Sequence, residues 1–372
     1  MSSEWFISII WLTAAIHIML TWLLAWYRGR QARRKPQDEF PLKQQPLVSI
    51  LIPAWNERRV LGQTLEALRQ SDYPHWEAII IAGGPDGTCD AARQRCADWP
   101  NFTVIEQPPR GKNAALNLGL QYARGEIIVL LDADTIVASD WLRHLVAPLT
   151  HGYTAATANY FPLRQTWVST YLEMEKIAAR YIRHNATLQG CGIALRRQAI
   201  EAMGGFPEAV TVGVDWDLSQ RLRQRNARLC FASQAHARTA LPDTLAAFWR
   251  NQIRWRRAHL QATLRHLGPE AARHLLFYAV ALAFLAAPGL CFHASLWPLA
   301  PLFWAWVLLR RLSLAIECAA FDRSCRWLKH SGGLLILVVV DFIAALIALA
   351  TFRRRVITFQ GTRPGDNRGQ RL

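Results

Sequence analysis

From Glu126 to Thr135 the chain reads Glu-Ile-Ile-Val-Leu-Leu-Asp-Ala-Asp-Thr, and no other stretch narrows the fold as much. An unbroken apolar run that opens with β-branched residues predicts a strand buried on both faces, as in a parallel sheet. Asp132 and Asp134 stand at its carboxyl end. Side chains two apart on an extended segment share a face. The two carboxylates are therefore expected to converge just outside the sheet edge, where open α/β sheets bind ligands. Such a pair suits a hard divalent cation shared with phosphate oxygens. It also suits the cap of a following helix, and the other loops have to decide.

Those loops carry similar chemistry. Val48 to Ile52 reads as a first strand ending in Pro53-Ala54-Trp55-Asn56-Glu57, and Val60, Leu61, Leu65 and Leu68 follow at helical spacing until Tyr73-Pro74. Trp76 to Ile81 is a second strand, followed by a turn at Gly83 to Thr88 that contains Asp86. Val104-Ile105 is a short third strand before Gly111-Lys112, and a helix is expected from Asn113 to Tyr122. Strands alternating with helices predict a doubly wound, mostly parallel α/β sheet. Its carboxyl-end loops gather Asn56, Glu57, Asp86, Lys112, Asp132 and Asp134, which argues against a mere cap. Further on, the sequence predicts a helix from Trp167 to Arg183 and a turn at Gly190-Cys191-Gly192. A second turn is expected at Gly204-Gly205-Phe206-Pro207, and a helix begins around Asp215-Trp216-Asp217.

Hydrophobic residues make up 52% of the 372, beside a net charge of +16, and the apolar runs concentrate near the two ends. Trp5 to Tyr27 has no Asp, Glu, Lys or Arg and is about as long as a bilayer span requires. Its positive charge follows the apolar core, at Arg28, Arg30, Arg33, Arg34 and Lys35, the reverse of a cleaved signal. The expectation is an uncleaved anchor over 1–27, a basic linker over 28–46 and a cytoplasmic domain over 47–258. A connecting helix follows over 259–273, then a transmembrane and interfacial region over 274–352 and a basic tail over 353–372. Within 274–309 the prolines predict two short spans joined near His293. Leu312 to Lys329 reads as an interfacial amphipathic helix and Leu334 to Phe352 as a further span. A cytoplasmic tail then requires one apolar segment to be re-entrant. Asp341, expensive at bilayer depth, is expected to be functional or paired with an arginine of the interfacial segment. Seven cysteines without a C-x-x-C pair point to a reducing compartment. Without zinc spacing or a helix-turn-helix pattern, the basic excess is assigned to membrane lipids and not to nucleic acid.

Val48 to Glu57, the run Gly111-Lys112-Asn113-Ala114-Ala115-Leu116-Asn117, Asp132-Ala133-Asp134, Gly190-Cys191-Gly192, Asp215 and Arg254-Trp255 occur in this order. The series resembles family 2 glycosyltransferases. The likeness is to the membrane-embedded bacterial branch of poly-N-acetylglucosamine, hyaluronan and cellulose synthases and lipid glucosyltransferases. It covers about residues 47 to 258, with a looser likeness at Phe359 to Arg363. The resemblance implies a GT-A fold with N- and C-terminal transmembrane helices, multi-pass in the bacterial inner membrane. It also implies an inverting transfer from a UDP-sugar to a lipid or membrane-associated glycan at the cytoplasmic face.

In that likeness Asp215 is the catalytic base, and Asp132 and Asp134 hold Mg²⁺ or Mn²⁺ against the diphosphate. Glu57 and Asp86 contact the nucleoside, with Pro53 and Asn56 beside them. Lys112 and Arg254 bind phosphate. Trp255 and Gly190-Cys191-Gly192 face the acceptor. Plainer readings make Lys112 a solvated lysine, Asp215 or Asp217 a helix cap, and Arg254, Arg256 and Arg257 a headgroup face. Three departures stand out: Ile81-Ala82 in place of the usual paired aspartates, Val214 in place of an acid, and Asn251 in place of a glutamine. They weigh more against processive synthesis than against transfer itself. Two rivals remain: a processive synthase subunit whose partner completes an export path, and a non-catalytic nucleotide-sugar-binding membrane protein.

Overall fold

The computed structural model describes residues 3–34, 39–184, 186–210, 212–265, 269–292 and 299–351. They form two compact units: a sheet unit within 37–163 and 186–240, and a helical unit within 1–36, 164–185 and 241–355. The stretch expected as a single 47–258 domain is thus divided, since 164–185 and 241–258 pack with the helical unit.

The sheet unit has eight strands: β1 (Val48–Trp55), β2 (Trp76–Gly83), β3 (Phe102–Glu106), β4 (Ile127–Leu130), β5 (Thr135–Val137), β6 (Ala155–Pro162), β7 (Ile193–Arg196) and β8 (Leu229–Thr239). Their order is β3-β2-β1-β4-β7-β6-β8-β5. β3, β2, β1 and β4 run parallel, as expected from their alternation with helices. β7 is antiparallel to both β4 and β6, and β5 is antiparallel to β8, whereas β6 and β8 are parallel. The sheet is therefore mixed, with four parallel and three antiparallel pairings, so the expected parallel majority holds by a narrow margin. Antiparallel pairing enters at β7, which lies between β4 and β6 and runs against both.

Period-two alternation fills both faces. Val48, Ile50 and Ile52 of β1, with Ala78 and Ile80 of β2 and Val129 of β4, meet Leu61, Leu65 and Leu68 of helix Leu61–Arg69 and Trp141 and Leu145 of helix Trp141–Thr150. Leu51, Ile79, Ile81, Ile128 and Leu130 meet Leu116 of helix Lys112–Tyr122 and Leu218 and Leu222 of helix Val214–Arg223 on the other face. The strand order turns at β1 and β4, and a crevice opens at their carboxyl ends.

In the helical unit two helices are long and apolar enough to cross a bilayer, Ser8–Arg34 and Ser331–Ala350, and the apolar helix Leu275–Gly289 is shorter. The expected division of the C-terminal region is corrected. One helix, Leu299–Asp322, runs through both the predicted second short span and the start of the predicted interfacial segment. His293 and the tail, including Phe359 to Arg363, lie outside the described residues. The predicted 167–183 helix is α-helical over Trp167–Ile177 and continues as a π-helix over Ala178–Ile182. Asp341 is 1% exposed and bonds Arg256 through both carboxylate oxygens, with Arg256 Nε donating to Oδ1 at 2.7 Å. Its partner therefore lies on helix Leu245–Arg265 and not on the predicted interfacial segment.

Candidate active site

β4 ends at Leu130, and Asp132-Ala133-Asp134 forms a turn beyond it, closed by the Thr135 N–H donating to the Asp132 carbonyl at 3.2 Å. The aspartates thus converge through a turn and not through the strand pleat. The turn is held from both sides. Thr64 Oγ1 donates to the Ala133 carbonyl at 2.7 Å, and Thr239 Oγ1, at the end of β8, reaches Asp134 Oδ1 at 3.4 Å. Burial and the neighbouring Asp132 charge push the Asp134 carboxyl up to about 6. Glu57 is pushed up to about 8, by burial first and then by Asp134, Asp132 and Asp86. Mutual repulsion of this kind is what a cation relieves.

Lys112 opens helix Lys112–Tyr122 and ion-pairs with Asp132. Burial disfavours its charge, but Asp132, together with Asp215 and Asp134, holds the ammonium above its ordinary value. Its side chain is ion-paired while remaining 37% exposed. Asp215 lies in the first turn of helix Val214–Arg223, whose cap is Gly213, so neither Asp215 nor Asp217 is the cap. Asp215 Oδ1 accepts from the Trp216 N–H at 2.9 Å and Oδ2 from the Gly190 N–H at 3.2 Å. Burial raises its pKa, while these two donors and the Lys112 charge oppose the rise.

Gly190 also borders the metal-type carboxylate: a Cβ there would lie 3.2 Å from Asp132 Oδ2. Gly192 serves packing instead, since its Cβ would come within 2.7 Å of Ala158 Cβ and 3.0 Å of the Trp141 ring. Cys191 between them is buried. Pro53 pairs with Ile81 inside the sheet. Asn56 adopts φ 58°, a region uncommon for non-glycine residues, and donates its N–H to the Gly83 carbonyl at 3.1 Å. Both Asp86 carboxylate oxygens have protein partners. Oδ1 accepts from Thr88 N and Oγ1 at 3.0 and 2.6 Å, and Oδ2 accepts from the Arg58 N–H at 3.2 Å. In this state Asp86 staples two loops of the edge together.

The structure therefore brings Glu57, Lys112, Asp132, Asp134, Gly190 and Asp215 together. Arg254 and Trp255 belong to the helical unit, on helix Leu245–Arg265, where Arg254 Nη2 donates to Asn251 Oδ1 at 2.7 Å and Trp255 packs in the apolar cluster.

Among the described residues no three Asp, Glu, His or Cys side chains form a group able to enclose a metal. Two carboxylates on one turn nevertheless fit Mg²⁺ or Mn²⁺, which take one or two carboxylates and leave the other positions to substrate phosphates and water.

With this geometry in view, a family model described as glycosyltransferase like family 2 matches residues 45–258. The chain belongs to this family. Among curated relatives, a probable glycosyltransferase, YdaM, of Bacillus subtilis is 27% identical over 70% of this chain and 66% of its own length. The beta-monoglucosyldiacylglycerol synthase of a Nostoc species is 28% identical over 56% of this chain and 48% of its own. The poly-beta-1,6-N-acetyl-D-glucosamine synthase of Staphylococcus aureus is 23% identical over 70% and 64%. The chain thus spans from about half to two thirds of the length of these relatives. A solved structure of a Pyrobaculum calidifontis mannosyltransferase, in complex with GDP-mannose and Mn²⁺, matches the fold. Its TM-score is 0.59 and its identity 21%, over 93% of this chain and 98% of that one.

Several residues that build the site of this family 2 chain had no role assigned from the sequence, among them Asn113 and Asn117, although both stand in the Gly111–Asn117 run. Asn117 exchanges hydrogen bonds with Phe206, its Nδ2 donating to the carbonyl at 2.8 Å and its Oδ1 accepting the N–H at 2.9 Å. Asn113 Nδ2 donates to the carbonyls of Pro207 and Val210 at 2.7 and 3.0 Å. The two asparagines, four apart on one helix face, thus hold the loop that leads to Asp215. Their spacing was the available signal. For Thr64 and Thr239, whose partners are remote in sequence, there was none.

Proposed function

We propose that the chain transfers a sugar from a UDP-activated donor to a hydroxyl of a lipid or membrane-associated glycan, inverting the anomeric centre, at the cytoplasmic face of a bacterial membrane. The observation that carries the reading is the separation of two jobs within one cluster. Asp132 and Asp134 share a turn suited to a metal diphosphate, while Asp215 stands on another element, accepts the Gly190 N–H and feels the Lys112 charge. A divalent cation bound there would act as a Lewis acid on the leaving diphosphate. Lys112 would add charge to the same phosphates when it releases Asp132. Asp215 would accept the acceptor's hydroxyl proton, for which partial burial tunes a carboxylate upward toward the working pH.

Among relatives, the names that specify a product include a lipid glucosyltransferase and a polysaccharide synthase, and the two apolar helices support membrane attachment. In this reading Arg254 and Trp255 serve the diphosphate and the acceptor. The rival non-catalytic reading has less support, because every acidic group the chemistry needs is present. Asp215→Asn separates the two. It should remove transfer from UDP-sugars in membranes while leaving Mn²⁺-dependent UDP binding within about twofold, since only the base is lost. Transfer at the wild-type rate in that variant would end the assignment.

A further inference from the structure

A cleft of about 540 Å³ opens at the carboxyl ends of β1, β2 and β3, lined by Trp55, Gly83, Gly84, Gln107, Pro108 and Pro109 among others. Gln107 follows β3 directly and keeps its register, donating its N–H to the Ala82 carbonyl at 2.7 Å. Gln107 is 4% exposed, and its Oε1 is buried with no hydrogen-bond partner among the described residues. A buried acceptor left unmade is costly. On a residue that lines a cleft at the sheet edge, such an acceptor is a group that a ligand's N–H would satisfy.

Gly83 shows why an amide does this work here. A Cβ at Gly83 would lie 2.6 Å from the Gln107 carbonyl oxygen and 2.9 Å from the Trp55 ring, so no acidic side chain fits at that strand end without displacing Trp55. Ala82 beside it is fully buried and apolar. Recognition passes to the next strand, and the Trp55 indole supplies a flat apolar face of the kind on which bases stack.

We propose that Gln107 reads the nucleobase of the donor and selects uracil. The inference rests on the nucleotide-sugar reading of the adjoining acidic turn. Uracil presents one imide N–H beside a carbonyl, and a primary amide answers both, with Oε1 accepting from N3–H and Nε2 donating to O4. Guanine adds a second donor, its 2-amino group, beside the first. The carboxylates that line the cleft, Asp90 and Glu106, are exposed and both ion-paired to Arg93, at 3.7 and 3.5 Å. Neither carboxylate therefore offers a guanine amino group a buried acceptor. A site built on hydrogen bonds rejects a ligand that leaves them unmade far more strongly than an apolar one does.

The experiment measures Mn²⁺-dependent binding of UDP, GDP and inorganic pyrophosphate to the full chain in detergent, by titration calorimetry. The wild type should prefer UDP over GDP by about tenfold or more. Gln107→Leu should weaken UDP by about tenfold and leave pyrophosphate unchanged, since one base contact is lost and the phosphate site is intact. Gln107→Glu, nearly the same size, places a carboxylate against uracil O4 and should narrow or reverse the UDP preference. An unchanged ratio of UDP to GDP in both variants, with pyrophosphate still bound, overturns the role of Gln107 and leaves the nucleotide-sugar reading standing. A wild type that binds neither nucleotide nor pyrophosphate removes that reading and the proposal with it.

Discussion

Asp215 is pulled in two directions: burial pushes its proton affinity up, while the Trp216 and Gly190 N–H groups and the Lys112 charge pull it down, and the upward shift prevails. A base has to be ionised to act, so the active form accumulates as pH rises through the shifted value. The value of kcat/KM for transfer should therefore fall on acidification at a pH above the ordinary aspartate range. A pH–rate profile of the free enzyme reads this directly, and a flat profile down to the ordinary range would refute it. The same shift carries a stability sign: the folded state binds the proton more tightly than the unfolded one, so this group's contribution to stability declines as pH rises from the unfolded pKa to the folded one. Asp132, Asp134, Lys112 and Asp215 were legible in the sequence because each is a charged residue in a loop that follows a readable strand. Gln107 and Thr239 were not, because a buried amide and a buried hydroxyl look like any other polar residue until the sheet sets their partners in place.

The loop at Gly204-Gly205 shows how one element depends on another. Gly205 has φ +81°, and a Cβ there would lie 2.8 Å from Asn117 Oδ1, the atom that receives the Phe206 N–H. Gly205→Ala meets both a left-handed backbone and a crowded acceptor, at a cost of about 1–3 kcal/mol. It should lower the thermal midpoint of the purified protein and reduce transfer, because this loop leads to Asp215. Asn117→Ala, which removes both hydrogen bonds to Phe206, should do the same, by about 1–3 kcal/mol. A pair of variants with wild-type midpoints would show that the asparagine clamp is idle. Among elements, β1, β2 and β4 were readable from their apolar runs. β6 and β8 were not: their sequences, Ala-Ala-Thr-Ala-Asn-Tyr-Phe-Pro and Leu-Cys-Phe-Ala-Ser-Gln-Ala-His-Ala-Arg-Thr, are rich in alanine and polar residues. They are strands because of their neighbours, as β-propensity is largely a matter of context.

Across the molecule, the sheet unit was legible and the helical unit only in outline. Apolar length reveals a span, but it does not say which helix a buried charge will meet. Asp341, on helix Ser331–Ala350, meets Arg256 of helix Leu245–Arg265, two residues beyond Arg254. A third helix joins them. The Tyr278 hydroxyl donates to the Arg256 carbonyl at 2.8 Å, and the Phe277 ring lies 4.1 Å beneath the guanidinium. With Asp341 almost wholly buried, the pair obeys the rule for interior ions: breaking it strands a charge, whereas replacing both partners with apolar groups does not. Asp341→Ala should therefore destabilise the detergent-solubilised protein by about 3–5 kcal/mol, read as a lowered thermal midpoint. The double variant Asp341→Leu/Arg256→Met should recover most of that loss. If the double variant is as unstable as the single one, the helices are held by something other than this pair. If it is stable but inactive, Asp341 and Arg256 orient the helix that bears Arg254 and Trp255, and the charge is kept for position as well as for strength.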